Sequence, residues 1–176
     1  MNKERFVITG APSTGKSTVI KLLSEQHLTF AEAARKVIQE QIKLNSNKVP
    51  WLDNYEFSKL VVKQQIKDHQ QVSTAAFYDR GVPDVIAYLK HFQQDNFVDK
   101  FMKTASKYRY ASKVFLMPPW EIIYQNDVER KESFEDAHSI NKHLIDTYQA
   151  LNYEIIEVPF VNSTERVKFI LDQINL

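Results

Sequence analysis

Apolar residues in this chain fall into short runs and one-sided stripes that alternate from end to end. Phe6-Val7-Ile8 is a β-branched and aromatic run that predicts a buried strand. Val19, Ile20, Leu22 and Leu23 then mark one side of a helix running to about Gln26. Thr29-Phe30-Ala31 predicts a weaker strand, and Glu32-Ala33-Ala34-Arg35 opens a helix through about Leu44. Asn45-Ser46-Asn47 is a loop, and Val49-Pro50-Trp51-Leu52 passes over the surface into the next helix. Asp53 or Asn54 caps that helix, and Phe57, Leu60, Val61, Gln64 and Gln65 follow at helical spacing toward Val72. Ala75-Ala76-Phe77-Tyr78 is a short apolar strand ending on Asp79.

Val82 to Phe92 reads as a helix with Pro83 in its first turn, where the missing N–H costs little. Phe97 to Tyr108 is a second helical stretch, with Phe97, Val98, Phe101 and Met102 apolar. Lys113-Val114-Phe115-Leu116-Met117 is a strand stopped by Pro118-Pro119. Ser133 and Asp136 form a capping-box pair ahead of a helix striped by Phe134, Ala137, Ile140, Leu144, Ile145, Tyr148 and Leu151. Tyr153 to Val158 is the last strand. Asn162 with Glu165 caps a closing helix whose inner face is Val167, Ile170, Leu171 and Ile174. Five strands alternating with helices predict an α/β fold, a parallel sheet with helices on both faces. Residues 1–176 read as one domain, and ligands in such sheets collect at the carboxyl ends of the strands.

Composition narrows the setting. Hydrophobic content of 43% and charged content of 26% suit a soluble globular protein. A net charge of +1 with no dominant basic run argues against a nucleic-acid surface. The chain has no cysteine, which excludes disulfides and thiolate metal sites. No apolar run reaches the about 18 residues that span a bilayer. The charged start Asn2-Lys3-Glu4-Arg5 leaves no room for a signal peptide, so a cytoplasmic location is expected. The chain has only three glycines, Gly10, Gly15 and Gly81. Glycine serves where backbone approaches a ligand or takes φ > 0, so these positions single out two stretches as functional centres.

The first stretch is Gly10-Ala11-Pro12-Ser13-Thr14-Gly15-Lys16-Ser17 with Thr18, a match to G-x-x-x-x-G-K-[ST] at every fixed position. It stands between a strand and a helix N-terminus, the context that makes an anion cradle from loop N–H groups and the helix dipole. Lys16 would reach the β- and γ-phosphates of ATP, and the Ser17 hydroxyl would ligate Mg²⁺. The fold expected is therefore the three-layer P-loop NTPase arrangement around a five-stranded parallel sheet.

The second stretch is Asp79-Arg80-Gly81. An Asp directly after an apolar strand occupies the place of a Walker-B acid holding Mg²⁺, and otherwise serves as a turn former. Its neighbour is Arg80 rather than a water-orienting Glu, which suits binding a second substrate or a phosphate. Glu32 and Arg35 lie one helical turn apart at the next strand end. They read either as an acceptor-handling pair or as a first-turn Glu complementing the helix dipole with Arg35 solvated. Asp127 to Glu132 is a charged stretch from which Arg130 could stabilise a transferring phosphate, as part of a lid around residues 121–134. The alternative there is a solvated charged face. Trp51 reads either as a stacking surface for an acceptor ring or as a plug on the core. The five histidines show no ligand spacing.

Gly10 to Thr18, Glu32-Ala33-Ala34-Arg35, Asp79-Arg80-Gly81 and Tyr124 to Phe134 together resemble the small single-domain AAA-type P-loop proteins. That group is similar to the nicotinamide riboside kinase domain of bacterial NAD-biosynthesis regulators. The resemblance implies a nucleoside/nucleotide-kinase-like fold, phosphoryl transfer from Mg-ATP, and a small-molecule acceptor such as a nucleoside or riboside. In that setting Glu32 accepts the proton of an attacking hydroxyl, Arg35 holds the acceptor, and adenine lies near Pro159 to Thr164. The competing reading is a Mg-dependent ATPase or an ATP-regulated switch with a macromolecular partner. A GTPase fits less well, because the Asn-Lys pairs at Asn2, Asn47 and Asn141 are not followed by x-Asp.

Overall fold

A computed structural model describes residues 4–72, 74–124 and 133–175. Five parallel strands form one sheet: β1 (Arg5–Thr9), β2 (Leu28–Phe30), β3 (Ala76–Asp79), β4 (Lys113–Leu116) and β5 (Glu154–Glu157), in the order β2-β3-β1-β4-β5. Strand β1 is central, with Val7 opposite Tyr78 on one side and Val114 on the other. The helices are α1 (Lys16–Leu23), α2 (Ala33–Lys43), α3 (Asn54–Gln70), α4 (Val82–His91), α5 (Val98–Lys107), α6 (Phe134–Ala150) and α7 (Ser163–Asp172).

The two faces of the sheet are sorted by the period-2 alternation of strand side chains. Phe6, Ile8, Phe77 and Phe115 pack with Val19, Ile20 and Leu23 of α1 and Ile170 of α7. Val7, Tyr78 and Val114 face the other way, into the larger core built by α2 to α6 with Leu144 and Tyr148. The central strands are buried on both faces, as parallel sheets require, whereas β2 and β5 lie at the edges and are only partly covered. Hence the expected α/β fold with helices on both faces is the observed one.

Element boundaries differ by a few residues where local bonds compete. Helix α1 stops at Leu23, because the N–H groups of Glu25 and Gln26 bond back only three residues and tighten the turn. Glu32 stands before α2 rather than inside it. Asp53, not Asn54, caps α3 through a 3.0 Å bond from the Glu56 N–H. Short 3₁₀ turns at Asp95–Phe97 and Glu121–Ile123 were not foreseen. Both expected capping boxes form, Ser133 with Asp136 and Asn162 with Glu165. Ile174 falls just past α7 yet still packs on its core. Among the described residues no helix is long and apolar enough to cross a membrane.

Candidate active site

The turn between β1 and α1 carries the phosphate-loop residues, and its backbone explains its glycines. Gly10 has φ 147°, and a Cβ there would collide with the Met117 carbonyl oxygen at the end of β4. Gly15 opens α1 in the left-handed region at φ 88°. The Lys16 side chain is buried and folds back over the loop. Its Nζ donates to the Ala11 carbonyl at 2.6 Å and to Thr14 Oγ1 at 3.2 Å. Burial, seconded by the nearby Arg80 charge, brings the Lys16 pKa down to about 7.

Strand β3 delivers Asp79 to the same place. Ser17 Oγ donates to Asp79 Oδ2 at 3.2 Å, while Oδ1 is buried and has no hydrogen-bond partner among the described residues. Burial, and then the Glu32 carboxylate, raise the Asp79 pKa despite Lys16, Arg80 and Ser17. A hydroxyl and a buried carboxylate with an oxygen to spare form the oxygen donor set that suits Mg²⁺ completed by phosphates and water. No cluster of three or more acidic, His or Cys side chains occurs among the described residues that could hold a metal by protein ligands alone.

Arg80 is the hub between the two centres. Its backbone takes φ 72° while its N–H bonds the Ile8 carbonyl at 3.1 Å. Nε donates to Glu32 Oε1 at 3.1 Å, and Nη1 donates to the Gly10 carbonyl at 3.0 Å and to Asp84 Oδ1 at 3.4 Å. The guanidinium also stacks over the Tyr88 ring at 5.1 Å. The expectation that Gly81 serves a ligand or a positive φ is corrected here. Gly81 is extended at φ −126°, and the atoms that a Cβ would crowd belong to the Tyr110 ring. In this turn the left-handed residue is Arg80, and the glycine makes room for packing.

Glu32 is held from both sides, since Arg35 Nε donates to its Oε2 at 3.1 Å. Burial works against its charge, but Arg80, Lys16 and Arg35 outweigh it and keep its carboxyl below the usual range. The alternative of a solvated Arg35 is thus only half right, because its head is part exposed yet tied to Glu32.

A cavity of about 750 Å³ joins these groups. One end is the phosphate loop, with Pro12, Ser13, Thr14, Gly15, Lys16, Ser17 and Thr18. The rest is walled by Glu32, Arg35 and Ile38 of the α2 region, Phe57, Val61 and Gln65 of α3, and Asp84, Val85 and Tyr88 of α4. Trp51 is 63% exposed and lines this cavity, so it is not a plug on the core. The cavity thus brings together the loop, Glu32, Arg35 and Arg80, with Asp79 joined through Ser17. Of the lid expected around residues 121–134, the stretch 125–132 with Arg130 lies outside the described residues.

Two residues with roles here went unread in the sequence. Asp84 is 2% exposed and accepts from Thr9 Oγ1 and Tyr148 OH at 2.6 Å each, from the Gly81 N–H at 2.8 Å, and from Arg80. Its position three residues after Gly81 in a Pro-marked first turn was the available signal. Arg166 of α7 donates from Nη1 to the Thr14 carbonyl at 2.8 Å, stacks on Trp120 at 4.7 Å, and has a buried Nε with no hydrogen-bond partner among the described residues. Trp120 in turn packs on Phe160, in the segment 159–164 expected to lie near a base. An arginine four residues before Ile170, on the inner face of the closing helix, was the only cue.

With this geometry in hand, comparison with solved structures finds the same fold. Deoxyadenosine kinase from M. mycoides, solved with bound dATP, superposes with a TM-score of 0.68 at 14% identity, covering 98% of this chain and 100% of that one. The NadR protein in complex with NR gives a TM-score of 0.74 at 14% identity, and this chain spans 51% of its length while 99% of this chain is covered. Thymidylate kinase from Candida albicans gives 0.65 at 14% identity, with 98% and 91% covered. No curated protein matches by sequence. A family model described as an AAA domain matches residues 5–166, nearly the whole length, and the chain belongs to that family of P-loop proteins.

Proposed function

We propose that this protein is a P-loop kinase that moves the γ-phosphate of Mg-ATP to a hydroxyl of a small nucleoside- or riboside-like acceptor. The observation that carries this reading is the cavity continuing from the phosphate loop past Glu32 and Arg80 into an apolar chamber. A site built for water as the only nucleophile needs no such chamber.

Each part of the site then has a task. The loop N–H groups and Lys16 hold the phosphates, with Arg166 steadying the loop at Thr14. Ser17 and Asp79 are the residues that would hold Mg²⁺, which supplies positive charge to the phosphate oxygens when bound. Glu32 has one lone-pair site on each oxygen committed to an arginine, and the remaining sites can accept a hydrogen bond from the acceptor hydroxyl. With its pKa depressed, Glu32 orients the hydroxyl more than it strips the proton early. This suits a loose transition state, in which proton transfer comes late. Arg80 and Arg35 set that carboxylate, and Arg80 lends charge next to the loop. The adenine of ATP would lie along residues 159–164, near Trp120 and Phe160. Arg130 keeps its proposed part in closing over the transferred phosphate, and the reaction needs neither nucleic acid nor membrane.

The deciding experiment incubates the protein with Mg-ATP and a panel of nucleosides and pyridine ribosides, and follows ADP and product mass. Acceptor-dependent ADP release with a product heavier by one phosphoryl group supports the kinase. Acceptor-independent ATP hydrolysis that matches or exceeds any transfer would replace it with the ATPase reading.

A further inference from the structure

Helix α3 points one stripe at the cavity: Asn54, Phe57, Ser58, Val61 and Gln65. Four of these make sense as rim or wall. Gln65 does not, since it is 4% exposed and its amide oxygen takes no hydrogen bond from any described residue. Its Oε1 is fully buried without a partner. Its neighbour Gln64 provides the contrast, because that amide is bonded to Asp68 Oδ1 at 2.7 Å. A buried amide left unpaired is costly unless a ligand completes it, and an apolar residue would pack there at no such cost. Gln65 also lies 11 residues beyond Asn54, about 16 Å along the helix axis. It therefore lines the chamber about three turns away from Asn54, at the other end of the stripe.

We infer that Gln65 is the specificity-determining residue of the acceptor chamber, and that it reads a planar ring carrying a hydrogen-bond donor beside an acceptor. An amide offers one acceptor and two donors side by side, so its complement is an edge with the same pair reversed. This holds whichever way the amide is turned. The walls agree with a flat ring: Phe57, Val61, Val85 and Tyr88 surround the chamber with apolar and aromatic surface. The hydroxyl-bearing end of such a molecule would face Glu32 and the phosphate loop. Two sources share this chemistry, the pairing edge of a nucleobase and the carboxamide of a pyridine riboside. The assignment rests on the acceptor chamber of the kinase reading.

Binding is tested without turnover, so the two readings fail separately. Calorimetry with the full chain compares adenosine, cytidine and nicotinamide riboside, each with its analogue lacking the exocyclic group: purine riboside, 2-pyrimidinone riboside and pyridine riboside. A donor–acceptor ring should bind at least tenfold more tightly than its stripped analogue, because a lost partner strands the buried amide. Preference for nicotinamide riboside identifies the carboxamide source, and preference for adenosine or cytidine identifies the nucleobase source. Gln65→Leu should flatten the difference between the preferred riboside and its stripped analogue to within about threefold, with ATP affinity retained. The wild-type comparison needs no variant and stands if Gln65→Leu fails to fold. Equal binding of the preferred riboside and its stripped analogue, no riboside binding at all, or undiminished discrimination in a folded Gln65→Leu overturns the assignment. Tight discriminating binding without phosphorylation would leave Gln65 in place and remove the kinase.

Discussion

Asp84 offers a sharp test of how the site is supported. Its carboxylate takes hydrogen bonds from Thr9, Tyr148, the Gly81 N–H and Arg80, and neither Thr9 nor Tyr148 is exposed beyond 1%. Asp84→Ala would leave three neutral donors and part of a guanidinium buried without that partner. Stranding a buried donor costs about 1–3 kcal/mol, and the hydroxyls can recover some of it by rotating, so about 3–6 kcal/mol of stability should be lost. That is a large part of the about 5–15 kcal/mol a domain possesses, and about 10–20 °C in Tm at this length. Asp84→Asn should cost much less, about 1–2 kcal/mol. Its amide oxygen can stay with Gly81 and Tyr148, and its NH₂ can meet a rotated Thr9 hydroxyl. The conflict that remains is NH₂ against Arg80 Nη1. Urea unfolding of the three proteins provides the comparison. An Asp84→Ala protein within 1 kcal/mol of wild type, or an Asn variant as damaged as the Ala variant, would refute the account of a shared buried acceptor.

Other consequences concern the chemistry. Lys16→Ala should lower the phosphotransfer rate by about a hundredfold or more, since it removes the charge at the phosphates; near-normal turnover would contradict the loop assignment. Because the free Lys16 titrates near pH 7 and bound phosphates favour its charged form, ATP binding should take up a proton above that pH. Calorimetry in buffers of different ionisation enthalpy at pH 8 measures the uptake, and affinity should fall as pH rises through 7 to 9; a pH-independent affinity would speak against it. Glu32→Gln should slow transfer while leaving ATP affinity within about threefold, as it is part of the acceptor side; steady-state kinetics against both substrates separates the two. Arg80→Lys should behave nearly as badly as Arg80→Ala in kcat, because one ammonium cannot span Glu32 and the Gly10 carbonyl together; full activity in the Lys variant would show that charge alone suffices.

The parts of this molecule that were legible beforehand are those with local signatures. Strands announced themselves as apolar runs, the capping boxes as residues three apart, and the phosphate loop as glycines at fixed spacing. What escaped was set by partners far along the chain. Asp84 finds Tyr148 64 residues away and Thr9 75 residues away, and Arg166 finds Thr14 across 152 residues. No periodicity encodes such meetings. Gln65 was read on a helical stripe together with Gln64, and only packing separates the bonded amide from the stranded one. Gly81 misled for a related reason: its small size serves the Tyr110 ring, which arrives from another part of the chain. The strained backbone beside it belongs to an arginine, a residue type for which a left-handed φ has no sequence signature.

The charges around the loop explain why Arg80 carries so much of the design. Lys16, Arg35 and Arg80 face Glu32, Asp79 and Asp84, three cations against three carboxylates. Formally the cluster is neutral, and the chain as a whole is at +1. Burial makes Lys16 and Asp79 the reluctant ions of the cluster: the pKa of Lys16 is lowered and that of Asp79 is raised. Those are the two groups whose charges a Mg-bound triphosphate would restore, one by phosphate oxygens and one by the metal. Glu32 behaves oppositely, already ionised and clamped by two arginines. Arg80 must then do what no mobile cation could. It satisfies Glu32 and the first carbonyl of the loop through one rigid guanidinium, fixed in place by Asp84 and Tyr88. Glu32 and the phosphate loop are thereby held at a set separation, which in the kinase proposed above is the preorganisation that phosphoryl transfer demands of a protein supplying position and charge.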